Sequence, residues 1–148
     1  MPTPGLEQLS EDGKHSPLDD EITAAGKAGE AGMLFETGPI KDPVNGTATT
    51  EVVVTDLFPM VTAVAMIAPS PDWFGGVADV NLKEDGRWVP TKTIELYAWD
   101  SGGDDGLTYK ASDMDNDPKR PTMMAKTPHF VIDGKARPVA TLTFTLMK

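Results

Sequence analysis

The chain has 148 residues, which is the usual size of a single domain, and it contains no cysteine. Disulfides, cysteine-ligated metal centres and thiol nucleophiles are therefore excluded. Its 23 acidic and 13 basic residues leave a net charge of −10, which opposes binding to nucleic-acid phosphates. No apolar run approaches the ~20 residues of a membrane span, and no signal peptide opens this chain.

Residues 1–46 are predicted to form a lead-in of short helices and loops. Residues 5–13 fit one short helical turn. Ser16 has the character of an N-cap, with Pro17 at the first helical position. Apolar residues then follow at helical spacing, at Leu18, Ile22 and Ala25. Nearby glycines predict that this second helix is short.

Residues 47–148 show the two-residue period of β-strands. The candidate strands, together with a brief one at 33–36, are 51–57, 60–68, 77–82, 91–99, 107–110, 130–132 and 140–146. In the last strand, Leu142 and Phe144 face one way and are predicted core residues, whereas Thr143 faces the other. Short strands separated by turn signals predict an all-β chain, an antiparallel β-sandwich within one domain spanning 1–148.

Residues 66–106 carry a set of motifs in a fixed order. They are Pro69-Ser70-Pro71-Asp72-Trp73-Phe74, Gly76-Val77, Gly86-Arg87-Trp88, Leu96-Tyr97-Ala98-Trp99-Asp100 and Gly102. In order, spacing and residue type this segment resembles the spondin domain family, of the F-spondin and mindin type. The run Pro4-Gly5-Leu6-Glu7 also resembles the start of single-domain bacterial spondin-like proteins.

The resemblance implies a C2-like sandwich that binds a calcium ion among loops at one end. The family's two motif aspartates correspond to Asp72 and Asp100. A glutamate on the preceding strand supplies a third ligand in the family. Glu51 is the nearest acid on that strand, although an ungapped alignment places Val53 at the ligand position. Asp104 is a further candidate as a supporting ligand.

The acidic loop supports a cation independently of the resemblance. Residues 100–117 contain six aspartates and one lysine. Two carboxylates about 4 Å apart repel by ~4 kcal/mol at an effective dielectric constant of 20, so converging them requires a cation or full exposure to water. Calcium accepts six to eight oxygen ligands in a flexible geometry, which suits groups carried on loops.

The chain departs from the family pattern in two places. Lys83 stands where the animal members have a cysteine, and the family's first β-strand has no counterpart, because this chain begins beyond it. The resemblance also implies an extracellular, secreted setting, with an unknown protein or glycan ligand outside the cell or on its surface.

The leading hypothesis is a calcium-binding module for adhesion or surface recognition, and not an enzyme. One alternative is a structural or assembly module whose ion only stabilises the fold. Another is a carbohydrate-active enzyme with paired carboxylates. The two histidines, His15 and His129, have no convincing catalytic partner in the sequence.

Three further patterns have ordinary explanations. Residues 113–117 mimic the start of an EF-hand loop, but Pro118 and Met124 occupy positions that require Gly and Glu. The tryptophans could form a sugar-stacking platform, but packing in the core or at a loop base is the favoured interpretation. Asn45-Gly46-Thr47 fits a glycosylation acceptor but is first a turn dipeptide.

Overall fold

The computed structural model describes residues 1–42 and 44–147 and shows a mostly antiparallel β fold with two short helices. This confirms the prediction of an all-β, sandwich-like architecture. The helices are α1 (Pro4–Asp12) and α2 (Leu18–Ala28). The strands are β1 (Met60–Met66), β2 (Trp73–Asn81), β3 (Lys83–Glu84), β4 (Arg87–Trp88), β5 (Thr91–Asp100), β6 (Met123–Met124), β7 (Val131–Ile132), β8 (Lys135–Ala136) and β9 (Pro138–Thr145).

The two helices begin and end at residues suited to those positions, with one correction. The Thr3 hydroxyl accepts a first-turn N–H of α1, and Gly13 ends that helix in the left-handed conformation. The prediction that Ser16 caps α2 is wrong. Pro17 occupies that position and offers no side-chain cap, while the Ser16 hydroxyl donates to the Asp20 carboxylate. Neither helix of the described residues has the length and apolar character of a membrane span.

A five-stranded antiparallel sheet forms the body of the molecule. Its strands run in the order β1-β2-β5-β6, and β9 also pairs with β5. Two small hairpins, β3-β4 and β7-β8, lie outside it. Ile94 on β5 pairs with Leu142 on β9, so the predicted alternation of β9 is correct. Leu142 and Phe144 are only half-buried, however, so their assignment to the core was too strong.

One cluster of buried side chains lies at the end of this sheet where β2 begins and β5 ends. It contains Trp73, Ala98, Ala125 and Phe130. The Trp73 ring is fully buried and packs edge-on against Phe130, at 5.0 Å between centroids, and against Tyr109, at 5.3 Å. Trp73 is therefore a core residue and not part of an exposed stacking platform.

Three segments predicted as strands are not strands in the structure. Residues 33–36, 51–57 and 107–110 have no ladder pairing. In the second of these, Val52 and Val54 are half-buried while Val53 is exposed, so the alternation is real. The segment nevertheless pairs with no strand in the described part of the chain. Alternation of apolar and polar residues indicates which side of an extended segment is buried, but a strand also requires a neighbouring segment with which to form hydrogen bonds.

Candidate metal centre

The pairing of β2 with β5 brings Asp72 and Asp100 together. Asp72 immediately precedes β2, and Asp100 is the last residue of β5, where it pairs with Trp73. The Ser101 N–H donates to the Asp72 main-chain carbonyl at 3.2 Å. Two aspartates that are 28 positions apart in sequence therefore lie at the same end of the sheet, as the motifs predicted.

The Asp72 side chain is fully buried, and its two oxygens differ sharply. Oδ2 accepts four hydrogen bonds, from Ser101 Oγ and the Gly102 and Gly103 N–H groups at 2.9 Å each, and from the Asp104 N–H at 3.2 Å. Oδ1 is buried and has no hydrogen-bond partner among the described residues. Burying a carboxylate oxygen without a partner is costly, so Oδ1 is suited to a cation or a water molecule.

Glycines allow the loop after β5 to wrap around Asp72. Gly102 has φ +90°, a conformation that side-chain-bearing residues rarely adopt, and a Cβ there would overlap the Arg120 carbonyl. A Cβ at Gly103 would overlap Glu11 Oε1. Gly102 is therefore required for the loop to bring its N–H groups to one carboxylate oxygen, whereas at Gly103 the end of the flexible Glu11 side chain could shift.

Asp100 is a half-buried carboxylate beside the buried one. Its Oδ1 accepts the Gly102 N–H at 3.0 Å. Burial, reinforced by the charge of Asp72, raises the pKa of Asp100 from 3.8 to about 6. The ionised pair is thus electrostatically unfavourable by itself, and a bound cation would relieve that repulsion.

Asp104 and Glu51, the other two candidate ligands, lie in different settings. The Asp104 carboxylate is buried and accepts the N–H of Gly106 on one oxygen and the N–H of Met114 on the other, so it organises the acidic loop. Glu51 is exposed in the extended segment before β1. A calcium-binding role for either residue stays a prediction.

The structure adds a second acidic group that the sequence analysis missed. Oxygens of Glu7, Glu11 and Asp115 lie within 4.8 Å of one another. Lys119 Nζ lies 2.7 Å from Glu7 Oε1 and 3.6 Å from Asp115 Oδ1, so it balances part of this charge. The available signal was that Glu7 and Glu11 are four positions apart and therefore share one face of α1.

Glu11 links this second group to the aspartate pair. Its Oε1 is buried without a hydrogen-bond partner among the described residues, and it lies against Gly103, whose N–H binds Asp72. Burial, and next the charge of Glu7, raise the pKa of Glu11 from 4.5 to about 7, while Lys119 opposes this rise. Glu11, carried on α1, is therefore a third carboxylate that contacts the same loop.

The donor set of this region suits calcium. Carboxylate oxygens and main-chain carbonyls are hard ligands, and calcium tolerates their irregular arrangement on loops better than magnesium does. Asp72 and Asp100 are the residues that could hold a cation, since each has an oxygen that accepts no hydrogen bond from the described residues. Glu11 is a further carboxylate near Asp72, since its Oε1 lies against Gly103.

Comparison with known proteins gives a consistent result. The Spondin_N family model matches residues 1–132. Spondin-2 from Rattus norvegicus and from Homo sapiens are each 34% identical to this chain over 107 residues, covering 72% of it and 32% of the relative. Spondin-1 from Xenopus laevis is 31% identical over 124 residues, covering 80% of this chain and 15% of the relative. The chain thus spans about a third of the length of spondin-2 and 15% of the length of spondin-1.

Proposed function

This chain belongs to the Spondin_N family, and from that premise we propose that it is a secreted, calcium-binding β-sandwich that acts in adhesion or surface recognition. The observation that carries the proposal is the buried Asp72 Oδ1, which has no hydrogen-bond partner in the described structure and lies beside Asp100. The wider activity of the relatives belongs to much longer chains, so adhesion by this chain is part of the proposal.

The ion would act by joining two loops. Asp72 belongs to the turn before β2, and Asp100 is the last residue of β5, directly before the next loop. A cation bound to both carboxylates would offset their repulsion and fix the two loops relative to each other. Next to Asp100 is a small recess lined in part by Asp104, Asn116 and Arg120. We propose that this loop surface, once ordered by calcium, contacts the partner.

The calcium claim is tested by thermal unfolding in chelator and in calcium. Calcium sites of extracellular modules have Kd values of about 10⁻⁴–10⁻³ M. Calcium at about 100 times Kd should stabilise the fold by ~2.7 kcal/mol. For a chain of this size that free energy should raise Tm by roughly 5–11 °C. Magnesium should have a smaller effect, because it requires a tighter octahedral geometry.

Matched variants identify the residues that are responsible for the calcium-dependent rise in Tm. Asp72→Asn and Asp100→Asn should each remove most of the calcium shift. Asp113→Asn makes the same change of charge at an exposed position of the acidic loop and should retain the shift. Identical melting curves in chelator and calcium, with no ion retained by the protein, would disprove the calcium site.

A second measurement separates recognition from assembly. Cell-surface and matrix fractions should be captured by the immobilised chain in calcium and released by chelator if the ion-ordered loops recognise a partner. A stabilising ion with no calcium-dependent capture would favour the alternative, a structural module.

A further inference from the structure

β9 is an edge strand whose outer side is open. It pairs with β5 along one side, from Thr91 opposite Thr145 to Leu96 opposite Ala140. On its other side no strand pairs with it within residues 1–42 and 44–147. Its outward main-chain groups therefore have no sheet partner in the described structure.

The hydrogen-bond register shows which residues carry these outward groups. The Leu146 N–H donates to the Pro90 carbonyl at 2.9 Å, and these two residues lie opposite each other when the β5–β9 register is continued by one position beyond Thr91 and Thr145. Since hydrogen-bonded and non-hydrogen-bonded pairs alternate in an antiparallel ladder, Leu142 and Phe144 also bond toward β5. The main-chain groups of Thr141, Thr143 and Thr145 point away from the sheet.

This edge lacks the usual protection against pairing. Exposed edges are normally guarded by charged residues, by prolines or by bulges. β9 contains no charged residue, its one proline is its first residue, and its register shift lies at that same end. Residues 134–148 contain three bases and no acid in a chain of net charge −10. Two copies can therefore approach here with less repulsion than elsewhere.

We propose that β9 pairs antiparallel with β9 of a second copy, with the two-fold axis at Thr143. In that register Thr143 faces Thr143 of the second copy, and Thr141 faces its Thr145. Each of these pairs brings outward N–H and carbonyl groups opposite each other, as a hydrogen-bonded pair requires. The pairing is closed, because a two-fold contact uses the same β9 edge of both copies, so association through this edge stops at a dimer.

The side chains suit this register on both faces of the joined sheet. On one face only threonines meet, and the chain already uses such a contact in the 2.9 Å hydrogen bond between Thr93 and Thr143 hydroxyls. On the other face Leu142 meets Phe144 of the second copy, and Ala140 meets its Leu146. Leu146 is 51% exposed in the single chain, so pairing would cover an apolar side chain. No charged side chains are opposed.

The test is sedimentation of the full chain over a wide range of concentration. The unmodified chain should dimerise reversibly as concentration rises, because one strand pair makes a small interface. Thr141→Pro removes an outward N–H and should abolish the dimer. Thr141→Val keeps that N–H and should dimerise like the unmodified chain. Circular dichroism confirms that each variant is folded.

A complementary pair of variants tests the position of the axis. Thr143→Lys alone and Thr143→Asp alone should each be monomeric, because like charges then meet on the axis. Mixing the two variants should restore a dimer, since opposite charges then face each other. A chain that stays monomeric at every concentration, a dimer insensitive to Thr141→Pro, or a failure of the mixture to dimerise would each overturn the proposal.

Discussion

A single carboxylate, that of Asp72, performs two separate tasks through its two oxygens. Oδ2 accepts hydrogen bonds from four donors in residues 101–104, which shapes the loop. Oδ1 has no hydrogen-bond partner in the described structure. The ordering of the loop and the capacity for a cation therefore depend on the same side chain, although on different atoms.

Glu11 provides a pH-dependent prediction at the scale of one residue. Its folded-state pKa of about 7 lies above the ordinary 4.5, because of burial and the charges of Glu7, Asp115 and Asp72, with Lys119 opposing. As pH rises from 4.5 to 7, the unfolded chain releases this proton first, so the free energy of unfolding falls. Glu11→Gln should remove that fall and make the chain more stable than the unmodified protein above pH 7.

Urea unfolding in chelator at pH values below, within and above this window measures the effect. The two proteins should converge in stability below pH 4.5, where Glu11 is protonated in both states. Glu30→Gln, at an exposed position, is the control and should leave the pH profile unchanged. A profile for Glu11→Gln parallel to that of the unmodified chain would contradict the assignment.

At the scale of elements, the loop after β5 depends on the glycine at 102. Gly102→Ala introduces a left-handed conformation unfavourable for alanine and an overlap with the Arg120 carbonyl. We expect a loss of about 2–5 kcal/mol in the free energy of unfolding, from backbone conformation and overpacking together. Denaturant unfolding measures this change.

A matched glycine separates these two contributions. Gly86 has φ +74°, but a Cβ added there would meet nothing within 4 Å, so Gly86→Ala should lose only the conformational part, about 1–2 kcal/mol. Equal losses at both positions would mean that the approach of Gly102 to Arg120 does not constrain the loop.

The sequence predicted the motifs carried by each element better than it predicted which other segments pack against that element. The motifs at 69–74 and 96–100 correctly placed Asp72 beside Asp100, because two antiparallel strands carry them. Glu11 was missed, since its position depends on how α1 packs against a loop about 90 residues later. The burial of Phe144 was overstated for a related reason: strand alternation identifies a face but does not reveal what covers it.

At the scale of the whole molecule, negative charge is concentrated around one loop. The aspartate pair and the group formed by Glu7, Glu11 and Asp115 both adjoin residues 101–106. Self-repulsion of this kind destabilises a compact state and is screened by salt. Monovalent salt should therefore raise Tm at neutral pH in the presence of chelator.

The same experiment near the isoelectric point is the control. At pH 4.5 the net charge is close to zero, so added salt should change Tm little. Calorimetry at both pH values measures the difference. An equal response at pH 4.5 and pH 7 would show that general salt effects, and not screening of the acidic loop, account for the stabilisation.

The shared acceptor of the loop also has a kinetic consequence. The N–H groups of Gly102, Gly103 and Asp104 all donate to Asp72 Oδ2, so none of them can be freed by a small local rotation of its own residue. The Gly102 N–H also donates to Asp100 Oδ1 at 3.0 Å and the Gly103 N–H to Ser101 Oγ at 3.2 Å, so these amides are released only when the loop opens as a unit. These hydrogens should consequently exchange with deuterated solvent at a common rate, as one cooperative opening event.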